Sequence, residues 1–168
     1  MDVSEAMLKI RDSEKYKDFC RERPDAYLAH CFRMLDEANQ DTWQIGFFDK
    51  GSDKLTTFFV SEDSVEKNQE ADALKKDEEI IKELDMKKVL ISFNKAIELG
   101  DRLKHDKYPN EEIMKKIIIL QHLPSGQVYN MTYVTQSFRI LNIKLDSGTG
   151  KVREHNLASI MDLGKMVK

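Results

Sequence analysis

The chain has 168 residues, enough for one domain or two small lobes sharing a core. Hydrophobic residues make up 40% and charged residues 34%, so it is globular with a heavily solvated surface. Its 27 basic side chains are interleaved with 30 acidic ones at a net charge of −3, and no stripe of one sign forms, which argues against nucleic-acid binding.

The first residues carry charge throughout and lack the apolar stretch of a signal peptide. The longest purely apolar run, Ile117–Leu120, is far below the ~20 residues that span a bilayer. The expectation is a soluble cytoplasmic protein with no membrane partner. Cys20 and Cys31 form no CxxC pair and read as reduced thiols.

In chain order, Ser4–Ile10 and Ser13–Glu22 read as helices, with Ser13 capping the second and Pro24 ending it. From Tyr27 to Leu35 the period changes to two. Leu28, Phe32 and Met34 then share one strand face with His30, and Ala29, Cys31, Arg33 and Leu35 the other. Trp43–Phe48 and Lys54–Val60 follow as strands, joined by the turn-forming Asp49–Asp53. Residues 70–87 read as a charged, solvated linker with a short helix around Asp77–Leu84. Ser92–Lys104 is a Ser-capped helix with Phe93, Ala96, Ile97 and Leu103 on one side. Ile113–Leu120, Val128–Val134 and Phe138–Leu145 are again strands. The end from Asn156 reads as a short helix or tail.

The unit recurs. Setting Pro24 on Pro109 gives an offset of 85 residues, at which the three strand runs repeat in order to within a residue. His30 and Lys115 interrupt the same face at the same place. Two copies of this length indicate a duplicated domain rather than a solenoid.

Within the second copy, Ile91-Ser-Phe-Asn-Lys-Ala-Ile-Glu-Leu-Gly100 resembles the opening of a PepSY-type domain, where an "I-S" entry leads into a helix. Ile143-Lys-Leu-Asp-Ser-Gly-Thr-Gly-Lys-Val152 is similar to that family's final hairpin with its Asp-x-x-Thr-Gly turn. Asp146 accepts hydrogen bonds inside such a turn, and Gly148 and Gly150 permit positive φ. The resemblance covers about Lys88–Asn156. In the first copy Ser61–Val65 stands where the Thr-Gly hairpin would be. The family implies a cystatin-like fold, a helix wrapped by a sheet, and a non-catalytic module often found in propeptides or regulators of peptidases.

The expected fold is therefore α+β: two tandem cystatin/PepSY-like units, each a helix plus an antiparallel sheet of three to four strands. The units are 1–69 and 88–156, with the linker 70–87 between them and a C-terminal tail, 157–168. Their sheets either pack together or run on into each other. Cys31 and Leu35, with Ile118 and Leu120, suggest that the first strand of each unit is apolar on both faces and covered on both.

Candidate chemistry is sparse. His30, His105, His122 and His155 show no metal-ligand spacing, although His122 and His155 could meet across the sheet. Asp36, Glu37, Asp41, Asp49 and Asp53 sit in turns, where Asp favours local backbone bonds over acid–base work. Ser125-Gly126 and Ser147–Gly150 run between strands and lack the helix of a phosphate loop. Trp43 with Phe47, and Tyr129 with Tyr133, fit a core under the helices better than a stacking platform. No catalytic, cofactor-binding or metal residues are assigned. The leading expectation is a non-enzymatic binding or regulatory module, taking a protein or peptide along a sheet edge or the sheet–helix groove. Alternatives are a homodimer or larger homo-oligomer through a two-sided sheet and, more distantly, a small-molecule hydrolase around His122 and His155.

Overall fold

The fold begins with two capped helices. Asp2 and Glu5 form a capping box that starts α1 (Val3–Asp12). The Ser13 hydroxyl donates to the Ile10 carbonyl (2.7 Å) and accepts from the Tyr16 N–H (3.2 Å), closing α1 and opening α2 (Glu14–Glu22). In this computed structural model, residues 1–36, 38, 41–72 and 80–166 are described, without the side chains of 163, 165 and 166.

The strands are β1 (Tyr27–Leu35), β2 (Trp43–Asp49), β3 (Lys54–Val60), β4 (Val65–Lys67) and β5 (Ala71–Asp72). After α3 (Phe93–Lys107), capped by Ser92, come β6 (Ile113–Leu123), β7 (Gly126–Thr135), β8 (Arg139–Asp146) and β9 (Val152–Ser159), and then α4 (Ile160–Met166). They form one antiparallel sheet ordered β4-β3-β2-β1-β6-β7-β8-β9, with β5 paired to the start of β3. The molecule is thus mixed α+β, and the two half-sheets run on into each other. β1 joins β6 from His30↔Gln121 to Leu35↔Lys116, and the strand order is mirrored about that junction.

One apolar cluster joins the helices to one face of the sheet. From α1 it takes Val3, Ala6, Met7 and Ile10, from α2 Phe19, and from α3 Phe93 and Ala96. Tyr16 and Phe19 stand 5.3–5.7 Å from the rings of Phe47 and Phe58, which docks α2 on β2 and β3. Phe93 meets Trp43 edge-on at 4.7 Å. Beside the β1–β6 junction, the buried Arg33 guanidinium lies 5.3 Å from the Trp43 ring and 5.5 Å from Phe93. Its charge is met by the Met1 carbonyl (3.1 Å) and Asp41 (3.2 Å), and the Trp43 indole N–H donates to the same carbonyl (3.2 Å).

Three expectations change. First, a β-bulge between Leu28 and His30 reverses the alternation of β1. Leu28 pairs with Phe47 and Cys31 with Ile45, so Leu28, Cys31, Ile118 and Leu120 share the core with Trp43 and Phe47. The first strands are apolar on both faces as expected, and the core helices cover the one that holds Cys31, Ile118 and Leu120. Their other face holds Phe32, Met34, Ile117 and Ile119. Second, the helix expected around Asp77–Leu84 is not present over Ile80–Leu84, and residues 77–79 lie outside the described residues. This stretch is an extended strap. Its Leu84 N–H donates to the Leu28 carbonyl (2.8 Å), its Ile81 carbonyl accepts from the Tyr27 hydroxyl (2.6 Å), and the Leu84 side chain is buried. The helical turn comes later, at Met86–Lys88. Third, β9 continues past Asn156 to Ser159 before α4 begins.

The Asp146 turn forms as expected, with Oδ1 accepting from the Gly148 (2.9 Å) and Thr149 (2.8 Å) N–H groups. The Arg153 guanidinium beside it, helped by those N–H groups, holds the Asp146 carboxyl down at about 2. Gly150 takes positive φ (73°), whereas Gly148 does not. In the first half a serine turn occupies the corresponding place: Ser61 N–H donates to the Ser64 carbonyl (3.0 Å), joining β3 to β4.

A sheet continuous through β1–β6 should unfold as one unit. Trp43, the single tryptophan, lies in the first half, and Ile118, fully buried, in the second. Ile118→Ala should cost about 2–4 kcal/mol. In urea it should lower the midpoint equally by Trp43 fluorescence and by far-UV circular dichroism. A Trp43 transition left unmoved would mean two independent halves.

Candidate binding face of the sheet

All the helices in the core cluster, α1, α2 and α3, lie on one side, so the chemistry available to a partner is set by the other side. Register defines it. Phe32 pairs with Ile119 and Gln44, Met34 with Ile117, and His30 with Gln121 and Gly46. None of these eight residues belongs to the core cluster. Phe32, Met34, Ile117 and Ile119 therefore form a half-buried apolar diamond over the two central strands, with Phe59 beyond Gln44 on β3. Polar residues flank it. Gln44, Gly46 and Thr57 lie on one side, and Asn130, Thr132 and Asn142 on the other, where Asn142 donates to the Asn130 amide oxygen (2.8 Å). An apolar centre with a polar rim is the pattern of a recognition surface.

At one end of this face the strap turns the surface into a groove of about 480 Å³, lined by Ala29, His30, Leu55, Ile80, Ile119 and Leu123 among others. His30 lies flat across Gly46. A Cβ at position 46 would stand 2.7 Å and 2.9 Å from the two ring nitrogens, so glycine is what lets the imidazole lie down. Burial pushes the His30 imidazole below its ordinary value. It makes no hydrogen bond among the described residues, and Cys31, next in sequence, points into the core, where burial pushes its thiol up to about 12. Among the described residues no carboxylate is hydrogen-bonded to this imidazole, whose ring nitrogens can accept or donate a hydrogen bond.

The other candidates are placed separately. His122 Nδ1 contacts the Glu83 carbonyl (2.7 Å) and His155 Nδ1 the Tyr108 hydroxyl (2.6 Å), so they do not converge. His105 is on the last turn of α3. Asp36 accepts from the Ala38 N–H (2.9 Å) and Asp49 from the Gly51 N–H (3.0 Å) and the Ser52 hydroxyl (2.7 Å), which are local turn roles. Asp41 faces Arg33, Asp53 sits in a turn, and Glu37 lies outside the described residues. Among the described residues no three His, Cys, Asp or Glu side chains come together around a metal-sized space. A larger cavity of 620 Å³ lies where Glu83–Lys88 crosses α1 and α2, but Gln127 there is already paired with the Asp85 backbone (2.6 Å and 3.0 Å). Periodicity alone carried the diamond residues in the sequence. Nothing in it told which of two apolar faces the helices would take.

Two outcomes follow for His30. Its neutral form is favoured in the folded state, so its contribution is complete above the unfolded value near ~6.5 and is lost as pH falls below it. Thermal melts should lose stability between pH 7.5 and 5.5, above the range where Asp146 titrates, and His30→Gln should flatten that slope. Gly46→Ala should cost about 1–3 kcal/mol by overpacking. The same change made in His30→Ala should cost far less, because the obstructing ring is gone.

No protein-family model matches the chain, and a search of curated proteins found no match. Among solved structures, the chain is similar in fold to a protein of Clostridium difficile 630 described as a "putative lipoprotein". The likeness covers 86% of this chain and 91% of that one, at a TM-score of 0.56 and 15% identity. No helix among the described residues is long and apolar enough to cross a membrane.

Proposed function

We propose that the chain is a non-catalytic binding module made of two tandem PepSY-like units, and that it takes a protein partner on the face of their shared sheet away from α1, α2 and α3. The observation that carries this reading is the apolar diamond of Phe32, Met34, Ile117 and Ile119, set in polar residues on a face no helix of the core cluster covers. Six strands at ~4.8 Å spacing and ~7 residues each present roughly 650 Å² on one face. That approaches the ~800 Å² one partner contributes to a standard interface.

Support for the tandem reading comes from the mirrored strand order and from the turns. Among the described residues, non-glycine positive φ occurs at Asp53 (57°) and Phe138 (55°), 85 residues apart, each directly before a returning strand. Support for the PepSY-like reading comes from the Ser92-capped helix and the Asp146 turn. The face is favoured over the sheet edges. One edge is broken into β4 and β5, of three and two residues. The other, β9, carries Arg153, Glu154 and His155, charges that discourage strand addition.

The test is capture with the whole chain as bait. Ile117→Lys and Ile119→Lys, at half-buried positions, should leave the melting temperature nearly unchanged and abolish recovery of any specific partner. Leu8→Lys, exposed on α1, should recover it fully. Equal recovery by all three would contradict the proposal. A dimer in sedimentation that Ile117→Lys dissolves would assign the face to a second copy instead.

A further inference from the structure

The β-bulge at Leu28–His30 decides what one end of the sheet presents. In an unbroken β1, Ala29 would stand opposite Gly46 and His30 opposite Ile45, inside the core. The extra residue brings His30 to Gly46 and leaves Ala29 without a partner on β2. Ala29 is 5% exposed yet lies outside the core cluster, and with His30 it lines the groove of about 480 Å³ beside the strap. Re-aiming a side chain toward a site is a common use of a bulge.

The groove has a polar floor and apolar walls. His30 on β1 stands opposite Gln121 on β6, so two half-buried polar side chains lie next to each other. Neither side chain makes a hydrogen bond among the described residues. Neither is sealed off, because among those residues the one fully buried side-chain polar atom without a partner is the Ser147 hydroxyl. The imidazole and the amide therefore offer unmet donors and acceptors to the groove. Leu55, Ile81, Ile119 and Leu123 stand around them. Small-molecule sites of roughly 300–1,000 Å³ are built this way, mainly apolar with a few polar groups that fix orientation.

Charge narrows the ligand. Burial favours the neutral imidazole, and the Gln121 amide carries no charge. Of the charged side chains that line the groove, Asp72 is paired with Lys54 and Lys82 is exposed. His122 turns its Nδ1 to the Glu83 carbonyl (2.7 Å). An ion on this floor would lose hydration without meeting a counter-charge. A hydrocarbon would leave His30 and Gln121 covered and unpaired, which is the costly fate of a polar group. An uncharged ligand with an apolar body and a polar edge avoids both penalties.

We propose that the groove is a small-molecule site for an uncharged compound with an apolar ring and a carboxamide-like edge, whose acceptor and donor meet His30 and Gln121. Gly46 is part of the site as the seat of the imidazole. The site goes beyond the protein contact proposed for the diamond and adjoins it at Ile119.

Benzamide is the probe, with benzoate and benzylamine as charged counterparts of similar size. Each is titrated into the whole chain near pH 7.5 and followed by NMR at the His30 ring and the Gln121 side-chain amide. Benzamide should shift both signals and bind about tenfold tighter than either ion. His30→Phe keeps a ring over Gly46 without its nitrogens, and Gln121→Leu keeps an apolar side chain of similar length. With melts showing each variant folded, each should weaken benzamide about tenfold, the factor one hydrogen bond is worth. Ile117→Lys, outside the lining of the groove, should leave benzamide binding unchanged. No shift with benzamide, equal binding of benzoate, or binding that survives both groove substitutions would overturn the proposal. Loss of a captured protein partner with His30→Phe would also overturn it, by assigning the groove to that partner. Failure of the diamond reads differently: Ile117→Lys would then capture as wild type does while benzamide binding stands.

Discussion

The antiparallel pairing of β1 with β6 is the constraint on which the rest depends. It makes one sheet of two half-sheets, so Cys31 and Ile45 fall in line with Leu120 and Tyr129 across four strands. Helices from both halves are thereby drawn to the same side. A sheet of this width can then bury one face completely in a single core while the other is left to solvent or to a partner. Arg33 shows how closely the halves are joined there. Its guanidinium lies against rings from β2 and α3, while its backbone stands opposite Ile118 across the junction.

Much of this was legible in the sequence because the signals are local. Ser13 and Ser92 cap helices through their own side chains, and the period-two runs at Tyr27, Trp43, Ile113 and Val128 became strands. What was not legible is phase. A bulge at Leu28–His30, and another at Ile113–Lys115, each add a residue that reverses in and out, and no side chain announces them. Reading β1 as unbroken assigned Leu28 to the wrong side. The strap failed for a different reason. Its charge pattern suits a solvated helix, but Tyr27, Leu28 and His122 hold its backbone extended through tertiary bonds.

The candidate site was harder to read than the fold. His30 was visible as a polar interruption of an apolar strand. Its setting depends on Gly46, which lies on a neighbouring strand, and that relation exists only once register is set. Phe138 could be read only as the first residue of a strand. Its left-handed backbone becomes visible with the turn, where Ser137 bonds to Glu111, distant in sequence. Both are cases in which a local preference is overridden by a long-range contact.

The sheet face away from α1, α2 and α3 is the proposed working surface. Hydroxyl-radical footprinting of the chain, free and with its captured partner, tests that most directly. Phe32 and Met34 should be labelled in the free protein and protected in the complex, while Met131, inside the core, stays unlabelled in both. Protection confined to the outer surfaces of α1, α2 and α3, with Phe32 and Met34 labelled equally in both states, would contradict it.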